Sequence, residues 1–353
     1  MLSVLPFKFL FIMVLIFGTL FSLSSVHWLG VWAGLEINLI GFIPLLVYQK
    51  KAIESESAVK YFVAQAVGSS LLIFGSLTGF SLSWNFMIGM SEEVKISLFL
   101  VTVALILKMG AFPMHYWFPS VMASLSWVSC LILVTWQKVA PVFLMSSFFE
   151  VSYMFWFGFV LCLFGGGSSL VGGIGGVSQT QIRALLAYSS IGHLGWIMFS
   201  VVFSEWAFKV YFSVYIMISV AIFLGLWFMN MNNMLNTSSF NQKSSLSILV
   251  ILVLLMSLGG LPPLLGFISK MIVIMSCIMY TSFFILSFLI IGSLVSLFYY
   301  LSLFFSLYID VKPFGVSSFY SSSLSLDLIT NVIIAINFLG ILGVIWSLSI
   351  ELF

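Results

Sequence analysis

Charge is scarce in this sequence. Its 353 residues include only 12 lysines and arginines and 10 aspartates and glutamates, 6% of the chain. Soluble domains carry roughly 25% charged residues, so this chain has too few to cover a water-facing surface. A formal net charge of +2 gives no basis for a nucleic-acid partner. Cysteine is scarce too. Cys130, Cys162 and Cys277 fall within apolar segments and form no CxxC or Cys/His spacing. They imply neither a disulfide framework nor a metal site, and read as small buried hydrophobes. Long polar stretches are missing as well, so no loop can house a soluble domain or a cofactor fold. Lys8 before an apolar run resembles a signal peptide, but further spans follow at once without a small-residue cleavage pattern. It reads as a retained first helix.

What fills the sequence instead is hydrophobic residues, 62% of the total. A membrane-spanning helix needs about 20 mostly apolar residues. That length predicts an all-α polytopic membrane protein with eleven transmembrane helices: 5–23, 28–48, 58–80, 96–117, 121–148, 153–174, 182–203, 207–229, 246–279, 283–307 and 328–348. Eleven spans put the termini on opposite sides. Lys8, Lys50, Lys51, Lys60, Arg183, Lys243 and Lys312 fall on the N-terminal side, and Lys95 and Lys209 on the other. The positive-inside rule then places the N-terminus in the compartment where the chain is made.

Only the fourth and ninth spans are expected to be interrupted mid-membrane. The fourth contains Gly110 and Pro113, and the ninth carries GGLPP at 259–263. Proline removes a helical hydrogen bond and clashes with the preceding turn. Broken helices in corresponding positions mark the working centre of many transporters. Lying five spans apart, these two cross in opposite directions. The implied architecture is two inverted five-helix repeats: 1–150 holds the first, 151–310 the second, and 311–353 a loop and the final helix.

Three cations, Lys108, Lys138 and Lys270, lie inside spans rather than loops. Lys108 is twelve residues into its span, about 18 Å deep by helical rise. A charge there costs about 2.5–3.5 kcal/mol even on lenient insertion scales. Lys270, nine residues from its segment's end, has some freedom to snorkel. Glu36, in VWAGLEINLIGF, is the one acid within any span. Its expected partner is Lys108, with charged atoms within a few ångströms or one water of each other. One carboxylate cannot neutralise three lysines, so at least one lysine is expected to exchange its proton. His193, in YSSIGHLGW, sits among Tyr188, Ser189 and Ser190; its imidazole serves either as a proton bridge or as a hydrogen-bonded core side chain. His115, behind the Pro113 break, has the same two readings, with freed backbone carbonyls as its structural partners. His27 beside Trp28 reads as interface dressing. The glycine-rich run 165–183 lacks the lysine of a phosphate loop and no strand precedes it. Gly172 and Gly176 form a GxxxG, which favours close helix packing.

The motifs LEINLIGFIPLL, KYFVAQAVGS, LKMGAFPMHYWFP, LVTWQKVAP, SQTQIRALLAYSSIGHLGW and SLGGLPPLLGFISK occur in that order between about residues 30 and 275. They resemble those of the NADH dehydrogenase subunit 2 family, the antiporter-like membrane subunits of mitochondrial respiratory complex I. The resemblance implies a role for each matching residue. Glu36 and Lys108 would be the family's glutamate–lysine pair, Lys138 its central lysine and Lys270 the lysine of the second broken helix. His193 and His115 lie in matching motifs. The family often carries an acid after the proline where Ser120 stands here, so the likeness does not extend to that carboxylate.

The resemblance also implies a subunit of an H⁺-translocating NADH:ubiquinone reductase with no redox chemistry of its own. FMN, iron–sulfur clusters and ubiquinone would belong to other subunits, and this chain would contribute one proton channel. Implied neighbours are subunits 4L and 4 and accessory subunits, in the mitochondrial inner membrane. The N-terminus would face the matrix and the C-terminus the intermembrane space. A subunit of a cation/proton antiporter complex, which shares the fold and the lysines, is the alternative. A solute transporter with a central pocket and a purely structural scaffold are more distant rivals.

Overall fold

The computed structural model describes residues 7–47, 52–79, 92–152, 155–229, 245–262, 264–278 and 283–310. Among them are thirteen helices: α1 (Phe7–Ser24), α2 (Trp28–Val47), α3 (Ala52–Gly79), α4 (Glu92–Met109), α5 (Trp117–Ser124), α6 (Trp127–Val134), α7 (Trp136–Ser152), α8 (Phe155–Val177), α9 (Ile182–Phe203), α10 (Glu205–Met229), α11 (Ser245–Gly259), α12 (Leu265–Ile278) and α13 (Phe283–Asp310). In hydrocarbon each backbone polar group must be satisfied within its own segment, and helices do this. Eight stretches of the described residues are long and apolar enough to cross a membrane: 7–24, 28–47, 52–78, 127–149, 156–177, 182–203, 205–228 and 283–305. The shorter apolar helices 250–259 and 265–277 flank one of the breaks. The expected last span, 328–348, lies outside the described residues, as do Pro263, Lys50, Lys51, Lys243 and Lys312.

Two sequence expectations are corrected here. Residues 118–120, taken from the sequence as the junction of the fourth and fifth spans, are helical and belong to α5. The chain leaves the helix instead at Leu125 and Ser126. Pro119 sits in the first turn of α5, where a missing N–H is tolerated, so it permits the helix. Thr135 also interrupts a stretch expected to be continuous, dividing α6 from α7. Its Oγ1 (2.7 Å) and its own N–H (3.0 Å) both donate to the Leu131 carbonyl. Such back-bonding competes with the ladder and bends helices.

The chain divides into two compact units, Met1–Phe164 and Gly165–Phe353. In the first, α1 and α2 meet along small residues. A Cβ added to Gly18 would lie 2.7 Å from Asn38 N, and one added to Gly34 2.5 Å from Ser22 N. Small residues at such seams let backbones approach where lipid offers no hydrophobic drive. α3 packs against α4, and the rings of Trp28 and Phe148 stack at 4.6 Å, joining α2 to α7.

In the second unit α9 is central: 83% of its apolar window is buried, against 22% for the peripheral α1 of the first unit. It packs against α10, α12 and α13. The glycine run in α8 stays helical. A Cβ on Gly172 would meet Gly192 N at 2.5 Å and one on Gly176 the Tyr299 ring at 2.6 Å, so the packing reading of this GxxxG holds.

Candidate functional site

Each unit contains a helix that stops short and restarts. α4 ends at Gly110 (φ +73°) and α11 at Gly260 (φ +82°), conformations that glycine adopts without a Cβ penalty. The two ends use the same bonds. Gly110 N–H reaches Ile106 O and Leu107 O, and Ala111 N–H returns to Ile106 O. Gly260 N–H reaches Met256 O and Ser257 O, and Leu261 N–H returns to Met256 O. Both are Schellman closures, which satisfy carbonyls a helix end leaves open. The interruptions expected from Gly110–Pro113 and Gly259–Pro263 are thus real, set by the glycines; Pro263 itself lies outside the described residues.

In the first unit Lys108 is the next-to-last residue of α4 and is buried, 6% exposed. The carbonyl end of a helix carries partial negative charge, which favours a cation. Neighbouring helices complete the capping: Gln65 Nε2 donates to Lys108 O (3.2 Å) and Trp117 Nε1 to Leu107 O (3.0 Å). Glu36 on α2 interacts electrostatically with Lys108 and with the buried Tyr61. Glu36 Oε1 is buried, and among the described residues it accepts no hydrogen bond and no direct ion pair joins it to Lys108.

Lys138 on α7 is 1% exposed, with its Nζ 4.8 Å from the centroid of the Phe118 ring. A cation over an aromatic face gains about 2 kcal/mol when desolvated. Phe118 also packs against Gly110, where a Cβ would meet it at 2.9 Å. His115 is buried and donates through Nδ1 to the Pro113 carbonyl (3.2 Å), its ring against Tyr116. The freed-carbonyl partner proposed for it from the sequence is therefore present.

In the second unit Lys270 on α12 reaches back across the break, and its Nζ donates to Gly259 O (2.7 Å). The ammonium thus seats on the negative end of α11. Lys270 and His193 line one small cavity with Ser189, Trp196 and Ser296. Its room for a water centre is about 10 Å³, close to what one water needs. His193 Nδ1 is 2.9 Å from Tyr211 Oη, and the Tyr215 ring lies at 5.2 Å.

The sequence reading missed several of these contributors. Gln65 and Trp117, which cap α4, and Tyr211, which holds His193, were not singled out. Nor was the part-buried amide pair in which Asn38 Nδ2 donates to Gln137 Oε1 (2.9 Å) and Gln137 Nε2 to Asn38 Oδ1 (3.2 Å). The available signal was a polar side chain inside an apolar span, the one that exposed the lysines; Asn38, Gln65 and Gln137 all carry it. Tyrosine gives no such signal, because its ring is at home in a core.

Comparison with known proteins identifies the class. Residues 25–296 match the family described as NADH:quinone oxidoreductase/Mrp antiporter, TM. The fold is similar to a chain of respiratory complex I from Thermus thermophilus with bound aureothin, at TM-score 0.80 and 23% identity, covering 95% of this chain and 78% of that one. It is also similar to a chain of the Mrp complex from Dietzia sp. DQ12-45-1b, at TM-score 0.76 and 15% identity, covering 89% of this chain and 64% of that one. The chain belongs to this transmembrane family.

Within it, the relatives of matching length are more specific. The chain is 42% identical over 306 residues to NADH-ubiquinone oxidoreductase chain 2 of Anopheles gambiae, covering 85% of each. It is 37% identical over 346 residues to the chain 2 of Aedes aegypti, covering 95% of each.

Proposed function

We propose that this chain is a proton-translocating membrane subunit of an NADH:ubiquinone oxidoreductase, moving protons by changing which buried side chain holds them. The observation that carries this reading is a buried lysine at a glycine-closed helix break in each unit. Such a break concentrates backbone dipole at mid-span, where a cation is otherwise expensive. Glu36, close enough to act on Lys108 but not paired with it, suits a switch: approach or separation of the two changes how firmly Lys108 holds its proton. Lys138 is the second carrier of the first unit. In the second unit Lys270 and His193 share a cavity the size of one water, which suits exchange through hydrogen-bonded water. His115, tied to a backbone carbonyl, is assigned the weaker part of an auxiliary carrier. No covalent bond is made or broken in this scheme except to the proton itself.

The finer architecture belongs to the same reading. The α4–α5 and α11–α12 pairs each complete a crossing as broken helices. With residues 328–348 they bring the total to eleven, arranged as inverted repeats over 1–150 and 151–310. The flavin, iron–sulfur and quinone chemistry falls to other subunits. Subunits 4L and 4 are the proposed neighbours, in a mitochondrial inner membrane with the N-terminus on the matrix side. The chain 2 relatives favour this assignment over a cation/proton antiporter complex.

Lys108→Met is the direct test, because it deletes a proton carrier while keeping much of its length. Proton translocation per electron pair, measured in vesicles holding the assembled complex, is expected to fall. Full pumping by an assembled Lys108→Met enzyme would end the hypothesis.

A further inference from the structure

We propose that Tyr211 is a positioning residue for His193, fixing the orientation of the imidazole that faces the Lys270 cavity. The proposal rests on the relay reading above. Tyr211 is 1% exposed, and its hydroxyl lies 2.9 Å from His193 Nδ1. A buried hydroxyl–imidazole bond in a low-dielectric interior is costly to leave half-made. A hydroxyl both donates and accepts, so this bond holds the orientation of the ring in either tautomer.

The rest of the surroundings hold the tyrosine still. Its ring lies parallel to Trp196 of α9, 6.4 Å away at 9°. Trp196 and His193 both line the cavity that contains Lys270. The titratable groups facing His193 come from two elements packed on α9. They are Tyr211 and Tyr215 from α10 and Lys270 from α12; behind them Tyr300 of α13 acts electrostatically on both α10 tyrosines. The Tyr211 contact with His193 Nδ1 is one that deletion of a single atom removes.

Tyr211→Phe deletes that oxygen and keeps the ring stacked on Trp196. The experiment measures proton translocation per electron pair and its pH profile in the assembled complex, for Tyr211→Phe, His193→Gln and the double variant. Tyr211→Phe is expected to slow translocation about three- to tenfold, the range for loss of one hydrogen bond, and to displace the pH profile. In the His193→Gln background it should change nothing further, because its effect runs through the histidine. Equal slowing in both backgrounds, or slowing without displacement of the pH profile, would overturn the positioning role and leave the relay standing. Full pumping by assembled His193→Gln would overturn both, since the histidine would then carry no proton.

Discussion

Glu36 on α2 shares its unit with the buried Lys108 and Lys138, and among the described residues its Oε1 finds no hydrogen-bond donor. If it sets the proton affinity of Lys108, Glu36→Gln should slow translocation, and Glu36→Gln with Lys108→Met should stay slow. A merely structural pair predicts the opposite, with the double change restoring both assembly and pumping. The amide pair of Asn38 and Gln137 is a different case. The two residues lie 99 positions apart and satisfy each other twice. Asn38→Leu leaves the Gln137 amide without its partner, at a cost of about 1–3 kcal/mol, whereas replacing both by leucine is much closer to neutral. The check is thermal stability of the purified complex, where the double variant should melt above Asn38→Leu. Asn38, Gln137 and Gln65 were within reach of the reasoning that found the lysines. Their partners were not, because pairing depends on how each helix is rotated.

The glycine closures act on whole elements. Gly110→Ala and Gly260→Ala each force a side chain into a left-handed conformation, a strain of order 1–3 kcal/mol. They differ in what the new methyl meets. At Gly110 it meets Phe118, an apolar ring, at 2.9 Å; at Gly260 it lies 2.8 Å from Lys270 Nζ. Both variants should lose stability by similar amounts, and Gly260→Ala should also impair pumping by displacing Lys270 from the Gly259 carbonyl. Equal translocation rates per assembled complex would remove that distinction. The breaks were legible in the sequence, since glycine next to proline is a local signal. The Thr135 interruption was not, because threonine inside apolar helices is ordinary.

For the whole molecule, the match over residues 25–296 shows the family, and the likeness to a complex I membrane chain shows the fold. The proposal of subunits 4L and 4 as neighbours predicts that both co-purify with it in mild detergent. Isolation of the chain as a stable, active monomer would count against that. The exposed apolar side chains of α1, among them Phe9, Phe17 and Leu20, do not discriminate, since lipid covers them as well as a partner does.

The sequence by itself determined the solvent, the helical class, the two glycine-marked helix breaks and the charges that must be explained. These are properties of single residues and short runs: hydrophobicity adds up along the chain, and glycine and proline act within one turn. Tertiary structure decided which polar groups meet. It seated Lys270 on Gly259 O and bound His193 to Tyr211. It paired Asn38 with Gln137, and set Glu36 near Lys108 without direct contact. In a membrane the rotation of each helix is fixed by small-residue seams such as Gly18–Gly34 and Gly172–Gly192 rather than by an inside–outside hydrophobic contrast. Those seams are long-range contacts, so the meetings they enforce are invisible in the order of residues.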